Sequence, residues 1–170
     1  MKTHLVSGGC GFVGRNMVKR IFNSTEDRII FIDDLSIGTH PDTWLNKKST
    51  KIDSNITHYG DRLIFIEDDF RNTLRYLIDD FAGFEQQLGF EIGVFSDVFH
   101  FAAIVGGRLK IDGDPMMVAL DLSIDAEFFY WITRHKPGRV LYPSSSAAYP
   151  VSKQTEENTV QLRESDIDRN

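Results

Sequence analysis

Near the N-terminus, Gly8-Gly9-Cys10-Gly11-Phe12-Val13-Gly14 carries glycines at spacings suited to gripping a phosphate anion. The run satisfies Gly-x-Gly-x-x-Gly from Gly9 and Gly-x-x-Gly-x-x-Gly from Gly8. In such a turn one glycine makes the reversal, one lets the backbone approach a pyrophosphate, and one lets a helix pack closely on a strand. The anion then meets the positive end of the helix dipole and its unpaired N–H groups. Asp33 follows Gly14 by 19 residues (33 − 14), where a carboxylate accepts hydrogen bonds from adenosine ribose hydroxyls. The same carboxylate would repel a 2′-phosphate, and no arginine follows in Asp34-Leu35-Ser36. The pattern therefore favours NAD over NADP. Asp34 itself reads as a turn residue or helix cap.

A second group of reactive side chains lies at Ser144-Ser145-Ser146, with Tyr149 and Lys153 just beyond. A serine run is ordinarily a loop or a cap, but at the carboxyl end of a parallel strand it stands where open α/β sheets place their ligands. Tyr149 and Lys153 spell Tyr-x-x-x-Lys, and on one helix face the ammonium would stabilise a tyrosinate. The serines argue against that pairing here. They end a strand, and a reversal and a new helix aimed at the same substrate do not fit between Ser145 and Tyr149. Tyr149 is therefore expected to be non-catalytic. His100, at another strand end, reads as a satisfied core residue.

The elements that would position these groups alternate along the chain. His4-Leu5-Val6-Ser7, Arg28 to Ile32, Leu63 to Ile66, Asp97 to Phe101 and Arg139 to Tyr142 read as strands, and the second is too continuously apolar to be half exposed. Helical spacing appears over Phe12 to Phe22, over Asn72 to Phe81, and from Pro115 to His135 with Asp114 as N-cap. Ser36 to Arg62 reads as a long loop with one helical turn near Trp44. Alternating strands and helices predict an α/β fold, a doubly wound parallel sheet (Rossmann fold) of strand order 3-2-1-4-5. In the last helix Met117, Leu120, Ile124, Phe128 and Trp131 form an apolar stripe that Phe129 and Tyr130 widen. That is more than one sheet face requires, so an exposed apolar face and self-association are expected.

Composition narrows the partners. A formal charge of −6 speaks against nucleic acid or an anionic membrane as the main partner. No apolar run reaches the roughly 20 residues needed to cross a bilayer. The single cysteine, Cys10, makes no internal disulfide and suits a cytoplasmic setting. No metal site is read from the sequence.

Five segments together resemble the extended short-chain dehydrogenase/reductase family, in its nucleotide-sugar epimerase and dehydratase branch. They are Ser7 to Gly14, Phe31 to Gly38, Glu67 to Asn72, Val98-Phe99-His100-Phe101-Ala102-Ala103, and Tyr142 to Pro150. The resemblance spans residues 1 to about 150 and implies NAD as cofactor. Its contacts would be Gly8, Gly11, Phe12, Val13, Gly14, Asp33, Asp69, Phe70, Phe101, Ala102, Ala103 and Ser144, with Asp69 and Phe70 flanking the adenine. It also implies Ser145, or Ser146 beside it, as the catalytic hydroxyl, a nucleotide-sugar substrate oxidised transiently at a hydroxyl, and a homodimer. The family's helical asparagine has no counterpart, and Asp121 or Ser123 stands in that region. The resemblance further implies an N-terminal fragment: a cofactor domain over 1–150, a polar loop over 151–170, and the catalytic tyrosine and lysine beyond residue 170. An NAD-binding sensor without chemistry, or a net NAD-dependent reductase, are the alternative readings.

Overall fold

Continuously apolar strands need cover on both faces, and the sheet is built accordingly. The computed structural model describes residues 1–104, 113–145, 148–155 and 160–167. The chain runs through β1 (Thr3–Ser7), α1 (Phe12–Ser24), β2 (Arg28–Asp33), β3 (Ser49–Lys51), β4 (Ile56–Tyr59), β5 (Leu63–Glu67), α2 (Phe70–Asp79), α3 (Phe81–Leu88), β6 (Asp97–His100), α4 (Pro115–His135) and β7 (Arg139–Leu141). Among the described residues the sheet has seven strands in the order β3-β4-β5-β2-β1-β6-β7. The parallel strands β5-β2-β1-β6-β7 reproduce the expected 3-2-1-4-5 order of a doubly wound sheet.

Because side chains alternate across a strand, the inner strands β1, β2 and β5 feed two cores. Leu5, Ile30, Ile32, Ile64, Ile66 and Val98 pack with α2, α3 and α4 on one face. Val6, Ile29, Phe31, Leu63 and Phe65 pack with α1 on the other. All the parallel strands end at the same edge, so Ser7, Asp33, Glu67, His100 and Leu141 mark one rim of the sheet. That rim holds the candidate site.

One expectation needs correction and another needs extension. The stretch from Ser36 to Arg62 is not simply a loop: besides a 3-10 turn at Pro41–Thr43 it contains β3 and β4, which add antiparallel strands to the sheet edge. Ile56 fills one core and Tyr59 the other, and this double anchorage makes so short a strand stable. The helix expected over Asn72 to Phe81 is present as α2, but a second helix that was not expected, α3, follows it. Asp80 leaves helical geometry, and its carboxylate caps α3 at Gly83 N, so the chain turns there. Gly89, in the left-handed region, ends α3.

Helix α4 starts as expected, with the Asp114 side chain accepting from Met116 N. Phe128 and Trp131 are completely buried against the sheet, each contributing roughly 1.5–3 kcal/mol by leaving water. Val118, Leu122, Phe129 and Tyr130 are exposed. The expected stripe thus divides: its C-terminal half packs inward, and the extra apolar surface lies on a neighbouring face, where Phe129 meets the Tyr142 ring.

Candidate cofactor-binding and active site

Helix α1 opens at Gly11, which supplies no side-chain cap, and its first turn holds no acidic residue. Its N-terminal amides and positive dipole end are therefore left for an external anion. Close packing shapes the turn before it. Gly8 has φ +62°, and a Cβ there would stand 2.7 Å from the Phe101 and Ala102 backbone. A Cβ on Gly14 would stand 2.0 Å from the Gly8 carbonyl oxygen. Phe12 and Val13, expected cofactor contacts, are exposed at the start of α1.

Asp33 joins this turn to the next strand. Its Oδ2 accepts from Cys10 N at 2.9 Å and its Oδ1 from Leu35 N at 2.9 Å. The second bond holds Leu35 at φ 58°, a left-handed conformation that costs a residue with a Cβ roughly 1–2 kcal/mol. Burial raises the Asp33 pKa, opposed by the bonds from Cys10 and Leu35. Each oxygen retains a lone pair for a further donor. Asp34 forms the expected turn, its Oδ1 accepting from Ser36 N and Ser36 Oγ. The loop then returns to the glycine turn, where Thr39 N donates to the Cys10 carbonyl. Buried beneath it, the Cys10 thiol is pushed well above its ordinary pKa by desolvation.

Asp69 caps α2, accepting from Arg71 N, and pairs with the Arg71 guanidinium. The Arg71 side-chain bonds hold the Asp69 carboxyl below its ordinary range. The Phe70 ring is buried against His100 and Phe128, so what Phe70 offers the rim is backbone at the first turn of a helix. Phe101 and Ala102 are half-buried and Ala103 is exposed, forming the wall opposite Asp33. Of the two residues in the place of the family asparagine, Asp121 faces this wall and accepts from Ile104 N at 2.7 Å. Ser123 instead accepts from Arg71 Nη1.

Ser144 and Ser145 are exposed at the end of β7, and the Ser145 carbonyl accepts from Ala148 N. Ser146 lies outside the described residues. Tyr149 and Lys153 do not share a helix: Val151–Lys153 is a 3-10 turn, and Lys153 Nζ pairs with Asp166 Oδ1. Among the described residues no group of three or more His, Cys, Asp or Glu could hold a metal ion, and no helix is long and apolar enough to cross a membrane.

Sequence reasoning missed Asp125 and Tyr142. Asp125 Oδ1 accepts from His100 at 3.2 Å and its Oδ2 from the Tyr142 hydroxyl at 2.6 Å. That bond first, then burial, pushes the Tyr142 pKa up to about 12. A signal was available: Asp121 and Asp125 sit four apart on α4, in phase with its inward residues Ile124 and Phe128.

No protein-family model and no curated protein matches this sequence. Solved structures do match it. An epimerase from Methanothermobacter thermautotrophicus superposes with a TM-score of 0.64 at 19% identity, over 99% of this chain and 41% of that one. A UDP-N-acetylglucosamine 4-epimerase from Methanobrevibacter ruminantium gives 0.63 at 23%, over 97% and 43%. A dTDP-glucose 4,6-dehydratase from Streptomyces venezuelae, solved with NAD bound, gives 0.56 at 20%, over 81% and 38%. The likeness establishes the fold, and this chain spans about two fifths of the length of each.

Proposed function

We propose that this chain is the cofactor-binding part of an extended short-chain dehydrogenase/reductase, an NAD-dependent enzyme that transiently oxidises a hydroxyl of a nucleotide sugar. The observation that carries this reading is Asp33, bonded to Cys10 N and so fixed beside the uncapped start of α1. A carboxylate for a ribose and free amides for a pyrophosphate are thereby held together, as a dinucleotide requires. Similarity in fold to a UDP-N-acetylglucosamine 4-epimerase and a dTDP-glucose 4,6-dehydratase supports the substrate class.

In this reading the glycine turn binds the pyrophosphate, Asp33 the adenosine ribose, and Asp69 with the Phe70 backbone flanks the adenine. Gly8, Gly11, Phe12, Val13 and Gly14 form the floor, and Phe101, Ala102, Ala103 and Ser144 line the far wall. NAD accepts the hydride when bound. Ser145, or Ser146 beside it, orients the sugar hydroxyl, and the base that takes its proton is a tyrosine other than Tyr149. The test uses the complete protein with a pool of UDP- and dTDP-sugars. Ser145→Ala should lower turnover roughly 10²-fold or more, the range for a positioned proton-transfer partner, while Tyr149→Phe should retain most activity. A Tyr149→Phe enzyme that binds NAD normally yet is inactive would contradict the assignment.

The exposed face of α4 is the proposed dimer contact, since Val118, Leu122 and Phe129 leave a contiguous apolar strip in water. Sedimentation should show concentration-dependent association that Leu122→Glu abolishes without loss of folding. A chain that stays monomeric at high concentration would overturn this.

A further inference from the structure

Ser7 ends β1 with its side chain fully buried. Its Oγ accepts from Phe101 N and from Ala102 N, each at 3.1 Å. Both hydroxyl lone pairs are then taken, and the hydroxyl proton is donated to His100 Nδ1, 2.7 Å away. Nδ1 is thus an acceptor, so the proton of the neutral ring sits on Nε2 and is donated to Asp125 Oδ1. The other Asp125 oxygen accepts from Tyr142. Stacking fixes the ring plane: Phe128 lies 4.1 Å away at 11° and Tyr142 5.7 Å away at 17°. The Phe101 amide is shared between the Ser7 carbonyl and Ser7 Oγ, while the Ser7 hydroxyl, the His100 Nε2–H and the Tyr142 hydroxyl each have one acceptor in the series. The series begins at the residue before the glycine turn and ends two residues before Ser144.

We propose that Ser7, His100, Asp125 and Tyr142 form a positioning strut that sets the cofactor wall at Phe101–Ala102 and the serine segment at fixed distances from the glycine turn, and that it works only with His100 neutral. The proposal rests on the NAD-binding reading above. It makes His100 and Asp125 positioning residues: neither need touch the cofactor, yet both determine the backbone that does. Proton sensitivity follows from the bond count. A proton on Nδ1 would point at an Oγ whose lone pairs are both occupied, and the Ser7 hydroxyl would lose its acceptor. The titratable groups facing the ring are Asp125 and Asp121 from α4 and Tyr142 from the segment after β7. Ser7 on β1 and Phe70 on α2 do not titrate, and at the start of α2 Asp69 is paired with Arg71, whose Nη1 also donates to Ser123 Oγ.

Burial lowers the His100 pKa below the imidazole range, with Asp125 opposing. Because the folded value lies below the unfolded one, about 6.5, stability from the neutral ring is complete above that pH. It is lost as pH falls below it toward the folded value.

The test is nitrogen-15 NMR of the imidazole together with NAD titration, on the wild-type chain, Asp125→Ala, Asp125→Asn and Tyr142→Phe. Wild-type His100 should show a bare Nδ1 and a protonated Nε2 at pH 7.5. Its NAD affinity should fall in acid along the same curve as the His100 resonance. Asp125→Ala should mix the tautomers and weaken NAD about tenfold, the worth of one net hydrogen bond. Asp125→Asn should recover most of this, its amide oxygen accepting from Nε2 and its N–H donating to the Tyr142 oxygen. Tyr142→Phe should cost less affinity but speed exchange of the Ala148 amide, which is bonded to Ser145 O. A proton on Nδ1 in the wild type overturns the proposal, as does an Asp125→Ala chain with unaltered tautomer and NAD affinity. If Asp125→Ala does not fold, Asp125→Asn and Tyr142→Phe decide the matter. If the wild type binds no NAD, the functional reading fails instead, and tautomer and exchange judge the strut alone.

Discussion

Gly11→Ala should leave the fold intact and weaken NAD binding about tenfold to a hundredfold, whereas the same methyl at Gly14 should prevent stable folding. The two glycines lie three residues apart in one turn, yet their surroundings differ. A Cβ on Gly11 would find only the Gly8 carbonyl oxygen, at 3.4 Å, which is ordinary contact. Gly11 also has φ −69°, open to any residue, so alanine costs the cap at most about 1 kcal/mol. Its methyl would, however, occupy the approach to the uncapped amides of α1. Losing a charge-assisted bond there costs roughly 1.5–3 kcal/mol. At Gly14 the added carbon would sit 2.0 Å from the Gly8 carbonyl oxygen and 2.8 Å from Gly9 Cα. Those are backbone atoms of the turn and cannot swing aside, so the helix would have to lift off the strand. Overpacking of this kind costs on the order of 3 kcal/mol or more. Chemical denaturation with calorimetric NAD titration separates the outcomes, and a Gly11→Ala chain that binds NAD like wild type would place the pyrophosphate elsewhere.

Asp33→Ala should act on both quantities at once. The carboxylate accepts from two backbone amides, Cys10 and Leu35, and removing it strands both donors at a cost of roughly 1–3 kcal/mol of stability. The proposed ribose contacts would be lost as well, weakening NAD by about 1.5–3 kcal/mol. Asp33→Asn distinguishes the two effects. One amide oxygen can still accept from the Cys10 amide, so stability should largely return, while the charge that repels a 2′-phosphate is gone. NADP should then approach NAD in affinity. An Asp33→Ala chain with unchanged NAD affinity would show that the carboxylate serves the turn alone.

Much of this was legible in the sequence, for physical reasons. β1, β2 and β5 carry apolar side chains to both faces, and only a covered parallel sheet accommodates that. Asp33 was legible because the length of α1 and β2 fixes where a carboxylate at the end of β2 must arrive. The short strands β3 and β4 were not. β3 buries no side chain and β4 gives one to each core, Ile56 and Tyr59, so neither alternation nor a continuous apolar run stands out. The break between α2 and α3 depends on Asp80 acting as a cap rather than as one more polar residue on a helix. That the Phe70 ring turns into the core was not legible, because its aromatic pocket is made by His100 and Phe128 from distant parts of the chain. Asp125 escaped notice because its partners lie 25 and 17 residues away, and no local pattern announces such a pairing. Tyr149 and Lys153 show the converse: the spacing is present, but the helix that would give it meaning is not.

The most direct test is a side-by-side titration of the wild-type chain with NAD and NADP at neutral pH. The glycine turn with the Asp33 carboxylate fixed beside it predicts saturable one-to-one binding of NAD and an affinity for NADP at least about tenfold lower, the scale of one repelled charge near a protein surface. Equal affinity for the two cofactors, or binding of neither, would contradict it.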